Sequence, residues 1–283
     1  MKRSINLLLI DGNATGCWKG EFSNRTLVAY RMSRQQLVGG YESRPEFGSS
    51  GVYILFGQND DGDPLAYIGE AEDGMKRVRQ HLNDGKDFWT EFILFVKSDN
   101  KLNKAHVRYL EDRLIKQAQS AGRYELDNGM SSPSASLSEN DEADMQELLD
   151  DIQLMTGVLG QKIFEPVAQR NIQDKTSPSY SLKVGKANAQ GDVTSDGFVV
   201  YAGATFGPEV SPSLGNGYLA LREKLFDDQV VDANYILQKD QLFGSSSAAA
   251  AVILGYNVSG PQKWVDGHGV SLRDNETRAS VQG

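Results

Sequence analysis

The sequence predicts an α+β protein, in which a three-stranded antiparallel sheet flanked by helices is followed by a small mixed α/β domain. Residues 51–56 and 65–69 are apolar, strand-like segments joined by a polar turn that contains Gly and Pro. Residues 75–82 then carry apolar side chains at helical spacing. A third apolar run at residues 92–96 predicts another strand, and residues 103–118 predict a second helix.

The composition is that of an ordinary globular protein. The 283 residues are 39% hydrophobic and 24% charged, which excludes disorder of the whole chain and allows two or three domains. The single cysteine, Cys17, excludes an internal disulfide and, without a Cys/His cluster, argues against structural zinc. Cysteine usage predicts a cytoplasmic protein. The apolar run at residues 5–10 is too short for a signal peptide, and we expect no membrane partner. The oligomeric state is not predicted.

Residues 1–47 predict a β-rich extension. Strands are expected at residues 5–10 and near residues 26–30, with a Gly-rich turn between them and a short helix that begins at Ser33. Because so short a segment buries little apolar surface alone, we expect it to pack as an added layer on the unit that follows.

Two tyrosines lie near the middle of the predicted hairpin strands, Tyr53 in the first and Tyr67 in the second. Their side chains project from the same face if the strand register has the right parity. The alternation of side chains along each strand does not determine that register. Whether Tyr53 and Tyr67 lie on the same face therefore stays open.

Three ionisable residues follow at informative positions. Arg77 and His81 are four residues apart, which predicts neighbours on one flank of a helix. Glu111 falls inside the apolar stripe of the later helix, between Val107 and Ile115. An inward carboxylate is costly unless it meets a cation or a metal, so Glu111 either pairs with a nearby arginine or holds a metal.

Together these residues resemble the GIY-YIG nuclease family, which includes repair, homing and restriction endonucleases. The matching elements, in order along the chain, are Gly51-Val52-Tyr53, Tyr67-Ile68-Gly69, Arg77, His81 and Glu111. The resemblance covers residues 48–130, under a third of the 283 residues. It implies a GIY-YIG-like fold and metal-dependent endonuclease activity on nucleic acid, with DNA favoured over RNA.

The resemblance also implies catalytic roles. Tyr53 or Tyr67 acts as the base or positions the attacking water, Arg77 stabilises the phosphate, and His81 supplies a hydrogen bond or transfers a proton. A tyrosine is a poor base at its ordinary pKa of about 10, so neighbouring cations must polarise or ionise it. Which tyrosine is the base stays open.

Metal and substrate contacts are implied as well. Glu111 is the sole protein ligand of a mostly hydrated Mg²⁺ or Mn²⁺, and substrate phosphate completes the site. Four further positions are expected to contact the substrate: Gly69, Lys76, Arg79 and Asn128. Asn128 follows the metal-binding helix, about where many family members carry an asparagine.

One residue departs from part of the family. Some members carry a lysine directly after the second tripeptide, where this chain has Glu70, with Glu72 and Asp73 close behind. Acidic residues beside a phosphate site weaken nucleic-acid affinity unless they help to hold a metal. The alternative function is therefore a non-cleaving module of the same fold, which binds nucleic acid or a protein partner.

The net charge of −9 is concentrated in one segment. Seven acidic residues and no basic residue lie within residues 139–151, which leaves the rest of the chain close to neutral. A modest basic face is possible from Lys76, Arg77, Arg79, Lys97, Lys101, Lys104 and Arg108. Binding to plain duplex should be weak and sensitive to salt.

Residues 131–168 predict a Ser-rich loop and an acidic connecting helix. Ser138 and Asp141 form a capping-box pattern, and apolar residues at helical spacing give the helix a buried stripe. An acidic surface that mimics DNA is the alternative.

Residues 180–268 predict the small C-terminal domain, and residues 269–283 a frayed tail. A serine-capped, alanine-rich helix at residues 245–254 ends at Gly255. We interpret it as a core helix packed by Trp264, with a phosphate site at its N-terminus as the alternative. The domain resembles a module of unknown function that accompanies GIY-YIG units and is similar to modules of restriction and modification enzymes.

Overall fold

The computed structural model describes residues 2–39, 44–129, 136–166 and 179–282. The chain forms two compact units, Met1–Pro166 and Val167–Gly283. Both units combine helices with mainly antiparallel strands, which confirms the α+β class. Among the helices of these described ranges, none has the length and apolar character needed to cross a membrane.

One seven-stranded sheet organises the first unit. Its strands are β1 (Ile5–Leu9), β2 (Trp18–Phe22), β3 (Leu27–Ser33), β4 (Gly51–Gln58), β5 (Pro64–Ala71), β6 (Trp89–Lys97) and β7 (Glu125–Leu126). The spatial order is β1-β2-β3-β6-β4-β5-β7. All neighbours are antiparallel except β5 and β7, which are parallel.

The prediction of a three-stranded sheet is wrong, because β4, β5 and β6 continue into the N-terminal strands. β3 pairs with β6 from Leu27 opposite Lys97 to Ser33 opposite Glu91. Successive β3 residues are buried on both faces of the sheet, which suits an interior strand. The N-terminal segment therefore extends the sheet sideways and does not form the added layer that we expected.

Helices cover both faces of this sheet. The helices of the first unit are α1 (Arg34–Val38), α2 (Gly74–Gln80), α3 (Lys104–Ala121) and α4 (Glu139–Val158). Apolar residues of α3 and α4 pack on one face, and those of α1 and α2 pack on the other. The short helix predicted to begin at Ser33 is α1, and Ser33 is its N-cap residue, in a full capping box with Gln36.

The acidic helix α4 is tied to its own unit. Ser138 caps it by accepting a hydrogen bond from the Asp141 N–H, as predicted. Asp151 is buried, with Arg3 at 3.0 Å and Arg25 at 3.3 Å. This carboxylate therefore serves packing and ion pairing, and does not belong to an open acidic surface. Residues 131–135 of the Ser-rich loop lie outside the described ranges.

The second unit contains a four-stranded antiparallel sheet with helices. Its strands are β8 (Tyr180–Val184), β9 (Ala187–Thr194), β10 (Gly197–Val200) and β11 (Gln241–Phe243), in the order β11-β10-β9-β8. Its helices are α5 (Asn216–Asp227), α6 (Ser246–Leu254), α7 (Gly260–Lys263) and α8 (Leu272–Gln282).

The predicted frayed tail is wrong, because its residues form α8. The Ser271 hydroxyl accepts a hydrogen bond from the Asp274 N–H at 3.2 Å, which caps the helix. Leu272 is buried, and Asn275 donates to Asp266 at 2.9 Å. One apolar anchor and two polar contacts therefore hold a helix whose composition is otherwise polar.

The interpretation of α6 as a capped core helix is confirmed. Ser245 accepts a hydrogen bond from the Ala248 N–H at 3.1 Å. The buried Trp264 donates from its indole nitrogen to the Ser246 carbonyl at 3.0 Å and stacks on Phe198 with ring centroids 4.5 Å apart. Because Trp264 packs against the start of α6, we do not propose a phosphate site there.

Candidate active site

The register of the β4–β5 hairpin places the two tyrosines on one face of the sheet. Tyr53 lies opposite Gly69 and Leu55 lies opposite Tyr67, so the two tyrosines are diagonal neighbours. Their ring centroids are 6.2 Å apart. Tyr53 is fully buried and Tyr67 is half-buried. The question of parity is thereby settled in favour of a shared face.

Gly69 provides the space for the Tyr53 ring. A Cβ atom at Gly69 would lie 2.3 Å from the Tyr53 hydroxyl oxygen and 2.4 Å from its Cζ. Any larger residue would displace the ring from its site. Gly69 was predicted to contact substrate, and in the fold it accommodates Tyr53.

His81 ends α2 as its C-cap residue and is buried, so it does not lie on a solvated helix flank. Its Nε2 is 2.7 Å from the Tyr53 hydroxyl, and its Nδ1 is 2.5 Å from Asp84 Oδ2. Burial lowers the pKa of His81, with Asp84 opposing that effect, so the imidazole is neutral near pH 7. Sequence reasoning predicted His81 and missed Asp84.

A tight turn brings Asp84 to His81. Gly85 has a left-handed φ of +84°, which favours glycine. The Lys86 N–H donates to Asp84 Oδ1 at 3.2 Å. Burial opposes ionisation of Asp84, but this N–H and His81 hold its pKa below the usual value. Asp84 is therefore a carboxylate acceptor, which places the imidazole proton on Nδ1 of His81.

Two cations flank the tyrosines. Burial raises the pKa of Tyr53 far above its usual value, and the charge of Arg77 opposes that shift. Arg77 also donates to Gln80 at 2.8 Å. Lys86 places its ammonium group 4.4 Å from the centre of the Tyr67 ring. The charge of Arg77 therefore favours the ionised form of Tyr53, whereas the ammonium group of Lys86 also pairs with Asp127.

Glu111 projects from α3 toward β5. Its Oε1 accepts a hydrogen bond from the Glu70 N–H at 3.2 Å. Burial raises the pKa of Glu111, and the nearby Glu70 carboxylate raises it further. Lys104 binds both Glu70 oxygens, at 2.8 and 3.1 Å. The charge of Glu70 is thus neutralised within the chain.

These side chains meet at a cleft of about 450 Å³. Its lining includes Tyr67, Glu70, Lys76, Arg77, Lys104 and Glu111. Of the two tyrosines, Tyr67 contacts the cleft, whereas Tyr53 and His81 are buried behind it. Arg79 is exposed on α2. The cleft therefore brings a hydroxyl, basic groups and carboxylates within reach of one ligand.

The side chain of Asn128 forms hydrogen bonds with the backbone of strand β5. Its Oδ1 accepts from the Ile68 N–H at 3.0 Å, and its Nδ2 donates to the Ile68 carbonyl at 2.7 Å. Both polar atoms of the side chain bind the backbone of β5, beside the parallel pairing with β7. Its substrate-binding role stays a prediction, and its observed contacts are structural.

Replacing Asn128 with Ala should lower the free energy of unfolding by about 1–3 kcal/mol, because a partly buried backbone N–H and C=O lose their partner. Urea denaturation followed by circular dichroism measures the change. Exposed Asn83→Ala is the control. An unchanged free energy of unfolding for Asn128→Ala would show that these two hydrogen bonds do not stabilise the fold.

Comparison with known sequences bears on the second unit. A family described as DUF4357, a domain of unknown function, matches residues 180–276. The match begins with β8 and includes the first residues of α8, and it agrees with the predicted resemblance of this domain to a module of unknown function. No curated protein and no solved structure matched the chain.

Proposed function

We propose that the protein is a metal-dependent endonuclease of the GIY-YIG type that hydrolyses phosphodiester bonds of nucleic acid, preferentially DNA, in the cytoplasm. The observation that carries the proposal is the convergence of Tyr67, Arg77 and Glu111 on one cleft. Phosphodiester hydrolysis needs a group that activates water, positive charge for the phosphate oxygens, and stabilisation of the leaving oxygen.

Exposure assigns the two tyrosines different roles in this proposal. Tyr67 lines the cleft and contacts the attacking water, whereas buried Tyr53 binds Nε2 of His81. The position of Lys86 on the Tyr67 ring and of Arg77 beside the hydroxyls supports polarisation of these tyrosines. Tyr67 is thus the better candidate for the base.

The basic groups of α2 bind the substrate phosphate. Arg77 presents several N–H donors to the phosphate oxygens, which suits stabilisation of the charge that develops as water attacks. Lys76 lines the same cleft and adds positive charge one residue away. Both residues come from a helix whose start is fixed by the Asp73 cap.

The carboxylates fit a hydrated divalent cation. Burial and, after it, the nearby Glu70 carboxylate raise the pKa of Glu111, and a divalent cation would oppose both effects. The described ranges contain no cluster of three or more His, Cys, Asp or Glu residues that could hold a metal. Glu111 would therefore hold Mg²⁺ or Mn²⁺ with water and substrate phosphate, and the ion would stabilise charge on the leaving oxygen.

The test is cleavage of single-stranded, duplex and branched DNA, and of RNA, with Mg²⁺ or Mn²⁺ at low salt. We expect wild-type protein to cut with either metal, and Glu111→Gln to lose at least about 100-fold in rate while staying folded. Tyr67→Phe should also lose activity, because it removes only the hydroxyl. Full activity of folded Glu111→Gln would contradict the assigned metal role.

A non-cleaving module is the second candidate function, and the pairing of Glu70 with Lys104 favours it. This ion pair occupies Lys104, a cation beside Glu111, and leaves three further acidic residues at the cleft, Glu72, Asp73 and Glu111. Absence of cutting on every substrate, together with nucleic-acid binding that Arg77→Ala abolishes, would select this function over the nuclease.

A further inference from the structure

Asp84 is an ionised partner of the buried His81–Tyr53 pair, and the nuclease resemblance assigns it no role. Its Oδ2 lies 2.5 Å from Nδ1 of His81, and its Oδ1 is fixed by the Lys86 N–H at 3.2 Å. The other side of the imidazole, Nε2, is 2.7 Å from the Tyr53 hydroxyl. The three side chains therefore form a continuous hydrogen-bonded chain.

We infer that Asp84 is a positioning residue that fixes the tautomer of His81, so that Nε2 accepts the proton of Tyr53 during phosphodiester hydrolysis. This inference rests on the proposed nuclease function. Asp84 touches neither substrate nor the cleft, and acts through His81. Its side chain is 35% exposed, so the chain of groups runs from the buried tyrosine to solvent.

The direction of the hydrogen bonds follows from chemistry. A carboxylate has no proton to donate, so Asp84 accepts from Nδ1–H and leaves the Nε2 lone pair free to accept from Tyr53. Without Asp84, either nitrogen can carry the proton, and the tautomer with a proton on Nε2 cannot accept another from Tyr53. The carboxylate also stabilises the imidazolium that forms after proton transfer.

The proton transfer balances without a further reactant. Water gives a proton to the Tyr67 oxygen as its hydroxide attacks phosphorus. The hydroxyl proton of Tyr67 passes to the neighbouring Tyr53 oxygen, and that of Tyr53 passes to His81 Nε2. The imidazolium then returns its Nε2 proton along the same path, through Tyr53 and Tyr67, to the leaving oxygen, so His81 regains its Nδ1–H tautomer.

The groups around His81 agree with this role. Tyr53 and Tyr67 face it from β4 and β5, with ring centroids at 5.5 and 5.2 Å. The charges of Arg77 from α2 and Lys86 from the following loop oppose its protonation. Asp84 is the group whose charge favours the imidazolium, so removing it should make proton acceptance from Tyr53 harder.

The decisive variant is Asp84→Asn, which keeps the size of the side chain but can donate to Nδ1 and so force the wrong tautomer. We expect the cleavage rate to fall at least about 100-fold with metal binding and folding unchanged. Asp84→Glu should restore part of the rate. Asp87→Asn, an exposed carboxylate in the same loop, should behave as wild type. The pH–rate profile of Asp84→Asn should also shift, which a purely structural effect would not produce.

A second measurement separates this inference from the nuclease proposal. Nitrogen-15 NMR of His81 in the 283-residue protein reports its tautomer without any substrate. We expect Nδ1–H in wild type and a changed tautomer in Asp84→Asn. A proton on Nε2 in the wild type would overturn the inference even if the protein cuts DNA. Failure to cut any nucleic acid with the expected tautomer present would instead overturn the nuclease proposal.

Discussion

Replacement of Arg77 with Ala should reduce nucleic-acid cleavage by about 100- to 1,000-fold, the loss typical when one donor to a developing negative charge is removed. The expectation rests on its position at the cleft, beside the tyrosine hydroxyls that it helps to polarise. Single-turnover cleavage with saturating metal measures the chemical step directly. Folding should be unaffected, because the side chain is exposed.

Two further variants sharpen the result for Arg77. Arg77→Lys keeps the charge but loses the planar set of donors, so it should recover only part of the rate. Arg273→Ala removes an exposed arginine from α8 and should leave cleavage unchanged. Full activity of Arg77→Ala would mean that the phosphate is stabilised by another cation, with Lys76 the first to test.

Replacement of Trp264 with Ala should destabilise the second unit by about 3–5 kcal/mol, the usual cost of truncating a large buried aromatic side chain. The indole is fully buried, stacks on Phe198 and donates to the Ser246 carbonyl, so its loss leaves both a cavity and an unpaired carbonyl. Hydrogen exchange should show reduced protection in β10 and α6.

Trp264→Phe is the matched control for this prediction. It keeps an aromatic ring against Phe198 but removes the indole N–H, so it should cost less than the alanine variant. Chemical denaturation of both variants measures the difference. An unchanged unfolding midpoint for Trp264→Ala would show that α6 is stable without this contact.

Locally encoded elements were predictable. The hairpin strands, α2, α3 and α4 follow from apolar spacing and caps that each lie within a few residues, such as Ser138 and Asp141 at the start of α4. Strand pairing was not predictable in this way. Alternation of apolar and polar residues identifies a strand but does not show which other strand it pairs with. The pairing of β3 with β6 joins residues about sixty positions apart, and the N-terminal extension was therefore misplaced.

The candidate site was predictable only where a family pattern marks it. Tyr53, Tyr67, Arg77, His81 and Glu111 were all identified from sequence, and all lie at or directly behind one cleft. Asp84 was missed because its contact with His81 depends on the left-handed turn at Gly85. No pattern in the sequence predicts that turn. The C-terminal helix α8 was missed because one buried leucine and a serine cap hold an otherwise polar segment.

The space that Gly69 leaves for the Tyr53 ring has a consequence for protein engineering. Anyone who grafts this pair of tyrosines onto another β-hairpin must also transfer the glycine that faces Tyr53 across the strands, since a methyl group there would overlap the phenol. Libraries that randomise position 69 should return glycine almost alone, whatever selection is applied to the cleft.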